Sequence, residues 1–272
     1  MRRPSIGVFD SGFGGLTVLK ALLELIPHAD YLYFGDTARL PYGSKSAETV
    51  ARYAVGAAHY LERHGAQMLV IACNTATALA FDQIKHAVKM PVVGVVEPGA
   101  DQASRASQNQ KVVVIGTEAT ICSHAYHKAL EKRSVQVREK ACPLLVPLVE
   151  EGWIDHPVTE QVARIYLAEA FADGFESADV LLLGCTHYPL LRPLLNRSTP
   201  GHVTIVDSAE STAHAVRDLL QNSPLQTVSG QERRHSRRLK FFVTDSVEKF
   251  CRLGTNFLGQ PIDDVLHVDL KE

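Results

Sequence analysis

Leu69-Val70-Ile71-Ala72-Cys73-Asn74-Thr75 and Leu181-Leu182-Leu183-Gly184-Cys185-Thr186-His187 are two versions of one pattern. Each is an apolar run, a small residue, then a cysteine with a threonine close behind. A short continuous apolar run reads as a strand buried on both faces, the mark of a parallel sheet. Each cysteine therefore belongs at the carboxyl end of a parallel strand, the edge where open α/β sheets hold ligands. The two are separated by 185 − 73 = 112 residues. Thiols at equivalent places in two similar halves can flank one substrate from opposite sides. That arrangement suits moving a proton from one face of a carbon to the other.

Outward from these runs, strands alternate with helices. The pattern predicts strands at Ile6–Phe9, Tyr31–Phe34, Met68–Ala72, Val92–Val96, Lys111–Ile115, Val180–Gly184, Val203–Val206 and Lys240–Val243. It predicts helices at Leu16–Ile26, Ala47–His64, Ala76–Val88, near His124–Arg133, at Val158–Phe171 and near Val247–Leu253. Such alternation implies crossover units and parallel sheets. After a polar stretch beyond Val96 the cycle restarts at Lys111, and Asp10 corresponds to Thr117 at an offset of 117 − 10 = 107 residues. The expectation is an α/β protein built from a duplicated pair of domains with mainly parallel sheets. The tail from about Asp207 is expected to return to the first domain. Ser223–Arg238, with Arg233, Arg234, Arg237 and Arg238, reads as a solvated basic loop.

The 272 residues suffice to bury a sizeable core, and a formal net charge of −2 offers no basic field for nucleic acid or a membrane surface. Hydrophobic and charged contents of 46% and 21% are those of an ordinary soluble protein. No apolar run reaches the roughly 18–20 residues of a membrane span, and the amino terminus does not form a signal peptide. Five cysteines without a Cys-x-x-Cys pair indicate neither a disulfide framework nor a zinc site. A cytoplasmic location with reduced thiols is expected.

A cysteine opening a helix feels that helix's free amide groups and positive pole, which favour thiolate. Either cysteine alone would read as a small buried hydrophobe; the matched pair reads as functional. Cys122, Cys142 and Cys251 lack such contexts and read as packing residues. Asp10 follows the first strand directly, and two readings stay open: a carboxylate serving substrate or thiol, or a cap on the next helix. His187 can exchange a proton with the nearby thiol or the substrate. The Asp10-Ser11-Gly12-Phe13-Gly14-Gly15 loop can cradle an anion through its amides but lacks the ending of a nucleotide-binding P-loop. Ser11, Asn74, Thr75, Thr117, Thr120 and Thr186 supply neutral donors at the same edge. A thiol hydrolase using Cys185 and His187 is disfavoured, because two residues of separation place nucleophile and base poorly.

Over nearly its whole length the chain resembles the glutamate racemase family. The likeness is carried by Phe9-Asp10-Ser11-Gly12, Gly35-Asp36-Thr37-Ala38-Arg39, Pro41-Tyr42-Gly43, Ala72-Cys73-Asn74-Thr75, Gly116-Thr117-Glu118-Ala119-Thr120, Gly184-Cys185-Thr186-His187-Tyr188-Pro189 and Val206-Asp207-Ser208-Ala209. The resemblance implies two pseudo-symmetric domains, residues 1–97 with 208–272 and residues 98–207, and an active site in the cleft between them. It implies cofactor- and metal-independent interconversion of L- and D-glutamate, providing D-glutamate for peptidoglycan. Cys73 and Cys185 would be the two acid/base residues, assisted by Asp10 and His187 respectively. Asp10, Ser11, Pro41, Tyr42, Gly43, Asn74, Thr75, Thr117, Thr120, Thr186 and His187 would bind substrate. A related racemase or decarboxylase acting on aspartate, hydantoin or malonate substrates is the alternative. The family includes homodimers and activator-dependent monomers with an amino-terminal extension; a start close to the first strand points to the homodimer.

Overall fold

The computed structural model describes residues 3–222 and 238–270. The chain begins β1 (Ser5–Asp10), α1 (Leu16–Leu25), β2 (Asp30–Gly35), α2 (Ala47–Arg63), β3 (Met68–Ile71), α3 (Asn74–Ala87), β4 (Val92–Gly94) and α4 (Val96–Ala106). It continues β5 (Lys111–Gly116), α5 (Glu118–Cys122), α6 (Ala125–Glu131), β6 (Gln136–Ala141), α7 (Leu145–Glu150), α8 (Pro157–Ala170), β7 (Val180–Gly184), α9 (Arg192–Ser198) and β8 (Thr204–Asp207). It ends α10 (Ser208–Gln221), β9 (Leu239–Val243), α11 (Val247–Leu258) and β10 (Val265–His267).

The strands form two sheets, ordered β10-β9-β2-β1-β3-β4 and β6-β5-β7-β8. Every pairing is parallel. The order β2-β1-β3-β4 recurs as β6-β5-β7-β8, which is the expected internal repeat. In each sheet the chain steps to one side of its first strand and then crosses to the other. That leaves a topological switch point between β1 and β3 and a second between β5 and β7, where crevices open at the carboxyl ends of strands.

The cysteine-bearing strands are apolar throughout because both faces are covered. Met68 and Val70 of β3 enter one core and Leu69 and Ile71 another. In β7, Leu181 and Leu183 join the same core as Met68, while Val180 and Leu182 face a third. One apolar core is thus shared by the two sheets, which holds their switch points in a common frame. The carboxyl-terminal return occurs as expected: β9 pairs with β2, and α11 seats Phe250 against Phe13, Tyr33 and Phe241 at 5.8–5.9 Å between ring centres.

Several segments differ from the expectations. The polar stretch after Val96 is the helix α4, because Pro98 lies in its first turn, where a missing N–H costs nothing. The strand expected to reach Val96 ends at Gly94 for the same reason. β6, Gln136-Val137-Arg138-Glu139-Lys140-Ala141, is an edge strand whose charges hide its pattern. α3 starts at Asn74 with Cys73 as its cap, two residues earlier than expected. Cys122 is exposed, not packed, whereas Cys142 is buried and Cys251 partly so. The basic loop at Ser223–Arg238 lies outside the described residues except for Arg238, whose amide donates to Asp30.

Phe250→Ala is expected to cost about 3–5 kcal/mol, measured by urea unfolding. A loss below about 1 kcal/mol would mean that the return segment contributes little to the first sheet's core.

Candidate active site

Both cysteines open onto one narrow cavity of about 40 Å³, lined from the first sheet's edge by Ser11, Cys73, Asn74 and Thr75. From the second sheet's edge come Thr117, Cys185, Thr186 and His187, and the Pro41-Tyr42-Gly43 loop closes one side. Asp10 and Thr120 do not line the cavity; they are buried behind it. Two lining residues were not anticipated, Val146 and Glu150 of α7. The only sequence signal for Glu150 is a carboxylate ending an otherwise apolar run, Leu144-Leu145-Val146-Pro147-Leu148-Val149.

The two cysteines sit in different surroundings. Cys73 caps α3: its Sγ accepts the Ala76 N–H at 3.4 Å and donates to Ser11 Oγ at 3.4 Å. The helix terminus nevertheless does not prevail. Burial, joined by the neighbouring charge of Asp10, pushes the Cys73 thiol up to about 12, so it rests protonated near neutrality. The helix terminus pulls toward thiolate as expected, through the Ala76 amide, but burial outweighs it. Cys185 leads instead into a short 3-10 turn at Tyr188–Leu191, and α9 starts only at Arg192. Its Sγ lies 3.9 Å from His187 Nδ1, so two residues of separation do bring thiol and imidazole into contact.

His187 Nε2 meets Glu150 Oε1 at 3.2 Å. Burial alone would push the imidazole down, but hydrogen bonds to Cys185 and Glu150 outweigh it and raise His187 to about 10. Near neutrality the ring is an imidazolium held between sulfur and carboxylate, with its face packed edge-on against Phe257. Asp10 is raised by burial, against the lowering pull of His187 and of the amides of Gly15, Gly12 and Ser11. It does not cap α1, whose cap is Gly15. Its carboxylate instead accepts the Gly12 N–H at 2.9 Å and so shapes the turn that carries Ser11.

Contacts between the halves fix the cavity. Thr75, Thr117 and Thr120 form a triangle of hydroxyls with sides of 2.8–3.2 Å. Thr75 lies in the first turn of α3, and Thr117 caps α5. Gly14 approaches so closely that a Cβ would fall 2.1 Å from Thr186 Oγ1 and 2.6 Å from His187 Nδ1. At Gly43 a Cβ would fall 2.8 Å from Thr117 Cβ. The tyrosine of that loop is anchored below the cavity, donating from its hydroxyl to Asp36 Oδ2 at 2.6 Å. Asp36 also receives Arg39 and Thr244, so the carboxyl-terminal return holds one wall of the cavity.

A group whose folded-state value is raised stabilises the fold fully below its unfolded value, and that stability is lost as pH rises through the folded one. The stability gap between wild type and His187→Gln is therefore expected to be widest below about pH 6.5 and to narrow toward pH 10. Thermal unfolding across that range reads it; a gap constant with pH would contradict the paired imidazolium.

Comparison with known proteins gives the same picture. The Asp/Glu/Hydantoin racemase family matches residues 6–216. The chain is 58% identical to the glutamate racemase of Koribacter versatilis, covering 99% of this chain and 98% of that protein. It is similar to the crystal structure of glutamate racemase from Francisella tularensis in complex with D-glutamate, with a TM-score of 0.90, 35% identity and 98% of each chain covered. It is also similar to Escherichia coli glutamate racemase in complex with L-glutamate and an activator, with a TM-score of 0.78, 26% identity and 97% of each chain covered. With its paired parallel sheets and a cavity lined by two cysteines, this chain belongs to the Asp/Glu/Hydantoin racemase family.

Proposed function

We propose that this protein is a glutamate racemase that interconverts L- and D-glutamate by two-cysteine proton transfer without a cofactor. The observation that carries this reading is that Cys73 and Cys185 border one cavity from two sheets, each with its own ionisable partner. Relatives with the same fold are bound to D-glutamate in one case and L-glutamate in another.

In the direction from L-glutamate, Cys185 as thiolate takes the Cα proton and Cys73, which rests as a thiol, delivers its proton to the opposite face. The reverse direction exchanges the roles. His187, an imidazolium beside Cys185, is complementary to a sulfur that carries negative charge in one half of the cycle. Asp10 is the corresponding partner of Cys73. The proton at Cα is very weakly acidic, because its removal builds a second negative charge next to the carboxylate. Donors aimed at that carboxylate stabilise the developing charge, and preorganised donors of this kind are often the largest catalytic contribution. Thr75, Thr117, Ser11 and Thr186 supply them without a formal charge, while Asn74 holds a carboxylate in ground and transition state alike. Thr120, one layer back, orients Thr75 and Thr117. Substrate filling this narrow cavity displaces its water and strengthens each of these contacts.

The same reading makes the enzyme a cytoplasmic source of D-glutamate for peptidoglycan and, by family likeness, a homodimer. It divides the chain into residues 1–97 with 208–272 and residues 98–207, consistent with β9 pairing to β2 across the sequence.

Cys73→Ser and Cys185→Ser are each expected to lower racemisation by at least about 10²-fold, the scale of one acid/base group, with D-glutamate binding retained. In D₂O, early product is expected to carry deuterium at Cα while the remaining substrate stays protiated. Full activity in either variant, or deuterium entering the substrate as fast as product forms, would sink the two-base reading. Racemisation of aspartate in preference to glutamate would overturn the substrate assignment.

A further inference from the structure

Asn74 lines the cavity beside Cys73, and its amide is held at one end only. Tyr126 of α6 donates its phenolic proton to Asn74 Oδ1 at 2.6 Å. The other end, Nδ2, is buried and meets no protein acceptor. Tyr126 is itself fully buried. A Cβ on Gly184 would fall 3.1 Å from its ring, so the ring sits directly behind Cys185, while its hydroxyl reaches Asn74 next to Cys73.

A Cβ on Gly99 would fall 3.3 Å from the Tyr126 hydroxyl and 3.1 Å from Ser208 Cβ, so Ser208 stands next to the phenol. A phenol has one proton. That proton goes to Asn74 Oδ1, and the amide is oriented with oxygen on the phenol and nitrogen turned away from it. A planar amide rotated by half a turn would present its oxygen, an acceptor, where the cavity expects a carboxylate. Gly99 and Ser208 also lie in the two segments by which the chain passes between the sheets, α4 and α10.

We infer that Tyr126 is a positioning residue: by holding Asn74 Oδ1, its hydroxyl fixes the amide so that Nδ2 presents its N–H donors to a substrate carboxylate. The inference rests on the glutamate reading of the cavity. Tyr126 touches no reacting atom and acts through Asn74 alone. A donor to a carboxylate present in both ground and transition states changes substrate affinity more than turnover.

The test is a double-mutant cycle on the full-length protein with Tyr126→Phe, Asn74→Ala and the double variant. It reads KM and kcat for both enantiomers and the Kd for D-glutamate by calorimetry. Tyr126→Phe is expected to raise Kd and KM about five- to tenfold, the scale of one hydrogen bond, with kcat within about threefold. In the Asn74→Ala background the same change is expected to add less than about twofold. An unchanged Kd in Tyr126→Phe, or an equal effect in both backgrounds, would overturn the inference and leave Tyr126 a scaffold residue. If Tyr126→Phe does not fold, the structure of the wild type with D-glutamate decides: Asn74 Nδ2 within about 3.2 Å of a substrate carboxylate oxygen is expected, and Nδ2 on any other acceptor overturns the inference. Wild type that binds no glutamate would overturn the substrate reading and this inference together, whereas normal wild-type binding with an indifferent Tyr126→Phe overturns the inference alone.

Discussion

The parallel order β2-β1-β3 and its repeat β6-β5-β7 are the constraint on which the rest depends. A parallel sheet that reverses its strand order opens a crevice at the carboxyl ends of the strands flanking the reversal. Asp10 ends β1 and Cys73 follows β3, while Thr117 and Cys185 follow β5 and β7, so each half delivers one thiol at its own switch point. Because a single apolar core includes residues of both sheets, the two switch points keep a fixed relation to each other. The close approaches at Gly14 and Gly43 and the triangle of Thr75, Thr117 and Thr120 then bring the two edges to hydrogen-bonding range.

On this symmetric scaffold the local chemistry is unequal. Cys73 gains a helix terminus and the Ser11 hydroxyl, yet burial and Asp10 leave it a thiol at rest. Cys185 has no helix opening behind it and has an imidazolium instead, itself held by Glu150. The two sulfurs thus differ in their neighbours, a helix terminus with Asp10 at Cys73 and an imidazole with Glu150 at Cys185.

Much of this was legible in the sequence, and the exceptions have physical causes. Strands β3 and β7 were plain because full burial on both faces leaves only apolar residues. The edge strand β6 was not, since its half-buried Arg138 and Lys140, paired with Asp173 and Glu169, conceal the alternation. Pro98 and Gly99 disguised α4 as a loop, although a proline in the first turn is compatible with a helix. The residues that touch the cavity were mostly visible as polar positions immediately after strands, which is where the sheet edge must place them. Asp10 and Thr120 were assigned to the substrate but are one layer back. Whether a residue lies in the lining or behind it is decided by side-chain packing, which strand-end position does not encode. Glu150 and Tyr126 were missed for the same reason: both sit on helices and reach the site only through tertiary packing.

The central claim is that one carbon is held between two unequal sulfurs. A crystal structure of the protein with D-glutamate bound tests it most directly. Cα is expected between Cys73 Sγ and Cys185 Sγ, on opposite faces and each within about 3.5 Å, the separation of a reactive geometry. A substrate whose Cα meets only one sulfur, or neither, would contradict it.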